Sequence, residues 1–392
     1  MKILFINNSL FSIGGVNRVL SCIASELSTK HDVTILAYGK KEKENRSLYD
    51  LSNKVRVENN FIYNKGYIRR ALHKINQKTN LIRWIGCGCL YDWIYIPQKF
   101  QKRLIDYINN GQYDVVCAVQ ANNSIVLGKI KDKIKCKTFG WQHSSYEAYW
   151  ETKGTNFFNQ DYLLEKYISK LDRCIVLNEH VEAMYKQKKG IEAITIYNPK
   201  SFISAKKSQV MNKEFIACGG LKTPKGFDLL IESFEEFSKH EKEWVLNIWG
   251  AGPDEKKLRS LIKVKGLEDR VKLMGVTDNI AKEMIDSSAL LLSSRWEGMP
   301  MVVLEALECG LPIVAYDITA IKPLVTDGIE GRVVPAFDTM KFSDAMLHIA
   351  TDLAKRKEYG ANAAKKARLF AKEDICKKWD ILFTGNNGLC IN

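Results

Sequence analysis

Residues 293–310 read SSRWEGMPMVVLEALECG, and the fold turns on how that stretch is read. Leu290, Leu291 and Leu292 run into it as a short apolar strand, and MVVLEAL leaves it as an apolar helical run. Between them RWEGMP breaks both patterns, and Pro300 suits the first turn of the coming helix, where its missing N–H is not needed. A strand, a tight turn and a helix in that order are half of a parallel βαβ unit, and ligands of such sheets bind at the carboxyl ends of strands. Two acids flank the turn, Glu297 and Glu305. A carboxylate at a helix N-terminus is favoured by the helix dipole alone. That does not account for Glu305, which stands among apolar residues where a carboxylate requires partners. A vicinal diol such as a ribose would supply two hydrogen bonds. Glu297, at the strand's end, can accept from sugar hydroxyls, and Gly298 with the backbone around it can face a diphosphate at the helix N-terminus.

Outward from this turn the chain repeats one rhythm. KILFI (2–6) is a strand, a Gly-Gly turn follows, VNRVLSCIASEL has helical spacing, and DVTILAY is a second strand. YDVVCAVQ, KCKTFGW and RCIVLN are further strands, with DYLLEKYISKL and EHVEAMYKQ as helices between them. AITIYNPKSFISAKKS then ends a strand in Asn-Pro and a polar stretch, a linker. Beyond it EFIACGG, EWVLNIWG, RVKLMG, ALLLSS, PIVAY and GRVVP alternate with helical segments. The expected fold class is α/β, two Rossmann-like domains with parallel sheets facing each other across a cleft.

Two more strand-to-helix turns carry binding chemistry. In SIGGVNRVL, Gly14 and Gly15 let backbone approach a ligand, though the stretch lacks the third glycine of a dinucleotide fingerprint. In CGGLKTPKGFDLLI, Lys222 and Lys225 precede a helix N-terminus, and a Lys on a diphosphate is worth about 1.5–3 kcal/mol as a charge-assisted bond.

Composition bounds the rest. At 392 residues, 46% apolar and 10% aromatic, the chain has room for roughly two to three packed domains. MKILFINNSL has no signal-peptide core, and WIGCGCLYDWIYIP is too short and too broken to span a bilayer. Ten cysteines without a CxxC pair suit reduced thiols rather than a zinc site. A cytoplasmic location is expected.

EGMPMVVLE followed by ALECGLPIVA resembles the retaining glycosyltransferases of the GT-B fold, family four. The likeness continues through GGVNRVL, WQHSS, IYNP, GGLKTPKGFDLLI, WGAGPDEKKL and TDGIEGRVV, leaving out residues 40–110. It implies an acceptor-binding domain over 1–198, a nucleotide-sugar domain over 199–372, and a C-terminal helix in 373–392 returning to the first. It implies that Glu305 holds the donor ribose and Glu297 the transferred sugar, while Met299, Pro300 and Met301 meet phosphate and sugar through backbone. Lys225 would neutralise the diphosphate, Gly15 would lie against it, and His143 would stand near the reacting sugar. No cofactor and no metal are implied. Where many members have Arg, this chain has Gly220, so the cationic pair on the diphosphate is incomplete unless Lys222 substitutes. UDP is the expected carrier of the donor sugar, a hexose or N-acetylhexosamine, with GDP-linked donors as the alternative. The implied chemistry is transfer with retention by front-face attack; an epimerase of the same fold and a catalytically inactive membrane-binding module are the alternatives.

The net charge is +14, and residues 61–110 hold nine Lys/Arg against two Asp, +7 in that segment alone. Nine aromatics share it, from Phe61 and Tyr63 to Phe100 and Tyr107. That mixture suits a peripheral surface for an anionic membrane more than nucleic acid, with Arg69, Arg70, Lys74, Lys78, Trp84 and Trp93 as its residues and a lipid-linked glycan as acceptor. The other reading is a solvated face whose aromatics are core.

Overall fold

The computed structural model describes residues 1–39, 41–61, 66–84, 88–153, 155, 157, 158 and 160–385. They fall into two compact units, Met1–Asn198 with the chain from Lys372 onward, and Pro199–Ala371.

The first unit is built on seven parallel strands: β1 (Lys2–Asn7), β2 (Asp32–Ala37), β3 (Arg56–Glu58), β4 (Val115–Val119), β5 (Lys137–Trp141), β6 (Arg173–Val176) and β7 (Ala193–Thr195). Their order is β3-β2-β1-β4-β5-β6-β7. Helices cover both faces of such a sheet, so its strands are apolar throughout rather than alternating; in β1 only Lys2 is exposed. The chain winds outward from β1 to β3, then crosses back to β4 beside β1, where Phe5 pairs with Ile35 on one side and Cys117 on the other. That reversal is the sheet's switch point, and the Gly14–Gly15 loop leaves β1 there.

The second unit repeats the plan with β8 (Glu214–Cys218), β9 (Val245–Trp249), β10 (Val271–Gly275), β11 (Ala289–Leu292), β12 (Ile313–Tyr316) and β13 (Gly331–Val334), ordered β10-β9-β8-β11-β12-β13. Its switch point lies between β8 and β11, paired at Phe215–Ala289 and Ile216–Leu290. GGLKTPKG leaves β8 and SSRWEGMP leaves β11, so adjacent strands deliver both loops to one place.

The Lys372–Thr384 helix belongs to the first unit. Trp379, fully buried, lies edge-on to Trp141 with centroids 4.6 Å apart, and Phe383 packs on Phe139 at 5.0 Å. Asp380 accepts from His31 Nε2 at 2.7 Å; burial alone would raise its carboxyl pKa, but the bonds from His31 and Lys30 prevail and hold it below the usual range.

Among the described residues, helical stretches follow β3 where the sequence shows one basic segment: Tyr67–Thr79, Leu81–Trp84, Gly88–Tyr95 and Gln98–Gly111. The segment's aromatics do not form a single outer surface. Phe61, Tyr91 and Phe100 are buried in the core, and Tyr95 and Tyr107 pack against it, because these helices need an apolar inner face to dock on the sheet. Tyr67 and Trp93 are exposed. Tyr63 and the side chain of Trp84 lie outside the described part of the chain.

Candidate active site

The two loops at the second unit's switch point are stitched together through backbone. Ser293 Oγ donates to the Lys225 carbonyl at 3.0 Å, the Arg295 N–H to the Pro224 carbonyl at 2.8 Å, and Arg295 Nη1 to the Thr223 carbonyl at 2.9 Å. Three successive carbonyls of the lysine loop are thus held by the end of the neighbouring strand. Arg295 completes the tie with a two-pronged pair on Asp228, 2.8 and 2.9 Å, the geometry that suits a guanidinium fork. Gly226 makes the approach possible. It has φ +64°, and a Cβ there would stand 2.0 Å from the Ser293 carbonyl oxygen. Gly250 plays the same part on the other side, since a Cβ would stand 1.9 Å from the Gly219 carbonyl oxygen.

Lys225 is thereby aimed at the turn after β11. Its Nζ lies 2.6 Å from Glu297 Oε1, and Ser294 Oγ donates to the same oxygen at 2.7 Å. Both ends of the ion pair keep some solvent contact, 26% for Lys225 and 13% for Glu297. Lys222 is exposed, and its stem runs beside Gly220, where a Cβ would lie 3.8 Å from Lys222 Cε. Gly298, Met299 and Pro300 are buried, and Pro300 caps the Met301–Glu308 helix. The helix therefore starts one residue later than the sequence suggests: Pro300 has ψ 110°, outside the helical range. The first N–H groups of that helix, Met301 foremost, have no partner within it and mark an anion-favouring end.

Glu305 and Glu308 lie on that helix, each 4% exposed. Glu305 Oε1 accepts from Ser201 Oγ at 2.7 Å. Glu308 binds Lys200 and Lys207, each at 2.6 Å, and the Ser204 N–H at 3.0 Å. Burial alone would raise its pKa, but the two ammonium groups and the Ser204 N–H prevail and hold it below the usual carboxylate range. Both carboxylates therefore anchor the same segment, residues 200–207, with which the chain enters this unit.

In the first unit the loop after β1 is held mainly by amide, hydroxyl and backbone groups, with one carboxylate, Glu42, on its backbone. Asn7 Nδ2 donates to Asn17 Oδ1 at 3.0 Å, Asn17 Nδ2 to the Ser12 carbonyl at 3.0 Å, and Tyr49 Oη receives the Gly14 N–H at 2.8 Å. Glu42 accepts the N–H groups of Leu10 and Phe11. Gly15 is exposed and opens the Gly15–Leu27 helix. His143 follows β5, its ring 4.1 Å from that of Trp141. Part of the residue meets solvent, but Nε2 is shielded and has no hydrogen-bond partner, and burial lowers the imidazole pKa to about 3. It is neutral at physiological pH. Gln120, directly after β4, holds φ +72°, a strained conformation for a residue with a side chain at a switch point.

The second unit thus gathers Lys222, Lys225, Glu297, Gly298, Met299, Pro300, Met301 and Glu305 on the two switch-point loops and the helix that follows, while Gly15 and His143 stand on different loops of the first. Sequence reasoning missed Ser294, Arg295 with Asp228, Ser201 and Glu308. Only Glu308 left a trace, as a second acid three residues after Glu305 in an apolar helix. Among the described residues no group of three or more His, Cys, Asp or Glu is placed to hold a metal ion.

Residues 200–366 match the family described as glycosyl transferases group 1. The chain is similar to Staphylococcus aureus TarM, solved with fondaparinux, alpha-GlcNAc-glycerol and UDP, with a TM-score of 0.77 over 97% of this chain and 99% of that one at 16% identity. The fold is GT-B. An uncharacterized glycosyltransferase of Haemophilus influenzae is 26% identical over 83% of each chain. An exopolysaccharide phosphotransferase of Streptomyces coelicolor is 31% identical over 55% of this chain, which spans only 23% of that relative's length. The match to group 1 begins at Lys200 and so takes in Ser201, the lysine loop, the Glu297 turn and the Glu305 helix of this GT-B chain.

Proposed function

We propose that this protein is a retaining, metal-independent glycosyltransferase of family four. It would move a hexose or N-acetylhexosamine from a UDP-linked donor to a glycan acceptor, a lipid-linked oligosaccharide in surface polysaccharide assembly at the inner face of the cytoplasmic membrane. One observation carries the reading: Lys225, Glu297 and Ser294 meet at the N-terminus of the very helix that bears buried Glu305, at a switch point inside the matched region.

In this reading Glu305 accepts from the ribose diol, the Gly298–Met301 backbone receives the diphosphate, and Glu297 holds a hydroxyl of the transferred sugar. The bond from the anomeric carbon to the phosphate oxygen breaks, and the bond to the acceptor oxygen forms on the same face. The acceptor's proton goes to the departing phosphate. Lys225 stabilises the charge that grows there, and Lys222, lying beside Gly220, supplies the second cation where family members carry Arg. Neutral His143 serves as a hydrogen-bonding group near the sugar in the first unit, not as an acid. TarM, solved with UDP and alpha-GlcNAc-glycerol, supports a nucleotide-linked donor.

The test is to supply UDP-sugars with lipid-linked glycan fractions, follow UDP release and assign the product anomer by NMR. UDP release that requires acceptor, survives EDTA and yields the donor's anomer is expected. Release of a free epimerised sugar without acceptor would point to an epimerase, and an absolute need for divalent metal would contradict the mechanism.

A further inference from the structure

The Tyr67–Thr79 helix is fixed on one side and unexplained on the other. Its inner side packs Leu72 against the core and buries Asn76, which donates to Tyr95 Oη at 3.1 Å and accepts the Ile82 N–H at 2.9 Å. At about 100° per residue, Tyr67, Ala71, Ile75 and Ile68 fall within roughly a 100° arc of the outer side. All are exposed, Tyr67 at 90%, Ile68 at 69% and Ile75 at 48%. Leu81 and Trp93, on the next helices, are exposed as well, and Arg69 lays its guanidinium over the Trp93 ring at 4.6 Å. Arg70, Lys74 and Lys78, also exposed, form a row at four-residue spacing alongside the Tyr67, Ala71, Ile75 row, and its last member, Lys78, turns into the apolar arc.

Scattered exposed apolar residues are ordinary; a stripe of them along a helix whose other side already serves the core is not. Paired with an adjoining row of cations, it has the two faces an interfacial helix needs: side chains that enter the acyl boundary and ammonium groups that meet anionic headgroups. Nucleic acid would use the cations and leave the aliphatic residues in water. We propose that the outer side of the Tyr67–Thr79 helix is a docking surface for an anionic lipid bilayer, with Ile68 and Ile75 inserted and Lys74 and Lys78 on the headgroups. This deepens the proposed function by naming the surface that would meet a lipid-linked acceptor, and it rests on that reading for its purpose only.

The full chain is sedimented with phosphatidylglycerol-containing and pure phosphatidylcholine vesicles, at low and high salt, beside the variants K74Q/K78Q and I68S/I75S. Wild type should bind the anionic vesicles at low salt and release in part at high salt. K74Q/K78Q should bind roughly 30-fold more weakly, about fivefold per charge, and I68S/I75S should lose binding at either salt. Unchanged thermal transitions and circular dichroism show that each variant folds. Equal partitioning of wild type and both variants would overturn the proposal. So would a concentration-dependent dimer in sedimentation velocity that I68S/I75S abolishes, which would make the stripe a contact between copies. UDP affinity, measured on the same samples, reads the donor site separately: vesicle binding without UDP binding would refute the proposed function and leave this surface standing.

Discussion

In the second unit, the loops leaving β8 and β11 carry Lys222, Lys225, Arg295 and Glu297, Asp228 opens the Phe227–His240 helix beside them, and most of these charges contact one another. In the first unit, the ends of β1 and β5 and the turns that follow them present Asn7, Gly14, Gly15 and Asn17, the last two in the first turn of the Gly15–Leu27 helix, and an imidazole that burial keeps neutral. The sheets share a winding plan and each places its switch point at a reversal of strand order, yet one is furnished with two close ion pairs and the other mainly with amides and open backbone, its one carboxylate, Glu42, engaged by the Leu10 and Phe11 N–H groups. In the proposed reaction the diphosphate brings its charge to the first kind of site and an uncharged sugar hydroxyl comes to the second. Parallel α/β topology thus decides where a site lies, and side-chain charge decides what it holds.

The contrast can be broken first at Lys225. Lys225→Ala should lower kcat by about 100- to 1,000-fold, the usual cost of removing a group that meets transition-state charge, while the melting temperature barely moves. A variant that melts early but turns over normally would make Lys225 a structural cation. Glu308→Ala should do the reverse. It strands Lys200 and Lys207 against the helix, at a cost of about 3 kcal/mol discounted for the partial exposure of Lys207, and should lower the second unit's melting transition by roughly 5–10 °C. Differential scanning calorimetry reads this directly, and an unchanged transition would mean that the clamp is not formed in solution.

His143 sharpens the comparison through pH. Its folded pKa lies below the unfolded value of about 6.5, so the unfolded chain binds the proton first. Stability from this residue is complete above about pH 6.5 and falls as the pH drops toward 4, by up to about 1 kcal/mol per pH unit. His143→Gln should flatten that slope in thermal melts between pH 7 and 5, and an equally steep slope would place the titration elsewhere. The smallest effect is expected at Ser201, whose hydroxyl orients Glu305. Ser201→Ala should raise the donor KM roughly fivefold, about the worth of one hydrogen bond, with kcat little changed and Thr restoring it. A fall in kcat alone would dissociate Ser201 from donor binding.

Both sheets were legible because buried parallel strands are continuous apolar runs between glycine-rich turns, and KILFI, ALLLSS and PIVAY announce themselves that way. Edge strand β3 was not, since RVE is three residues long and half exposed. Glu297, Glu305 and Lys225 stood out because a charge beside or within an apolar run has to be explained. Ser201 and Ser294 did not, because a serine is as common in an idle turn as in a working one, and only the fold shows which carboxylate it faces. The basic segment misled in part. Its aromatics read as one group in the sequence, whereas the fold sends Tyr91 and Phe100 inward and Tyr67 outward.

Nucleotide binding at Glu305 is the most direct test of the donor site. Isothermal titration of wild type and Glu305→Gln with UDP compares a carboxylate that accepts from both ribose hydroxyls with an amide that turns a donor toward one of them. Saturable binding by wild type and affinity weakened by about tenfold or more in the Gln variant, with an unchanged fold, is the predicted result. Equal affinities for the two proteins would contradict the placement of the ribose on Glu305, and with it the reading of the second unit's switch point as the donor site.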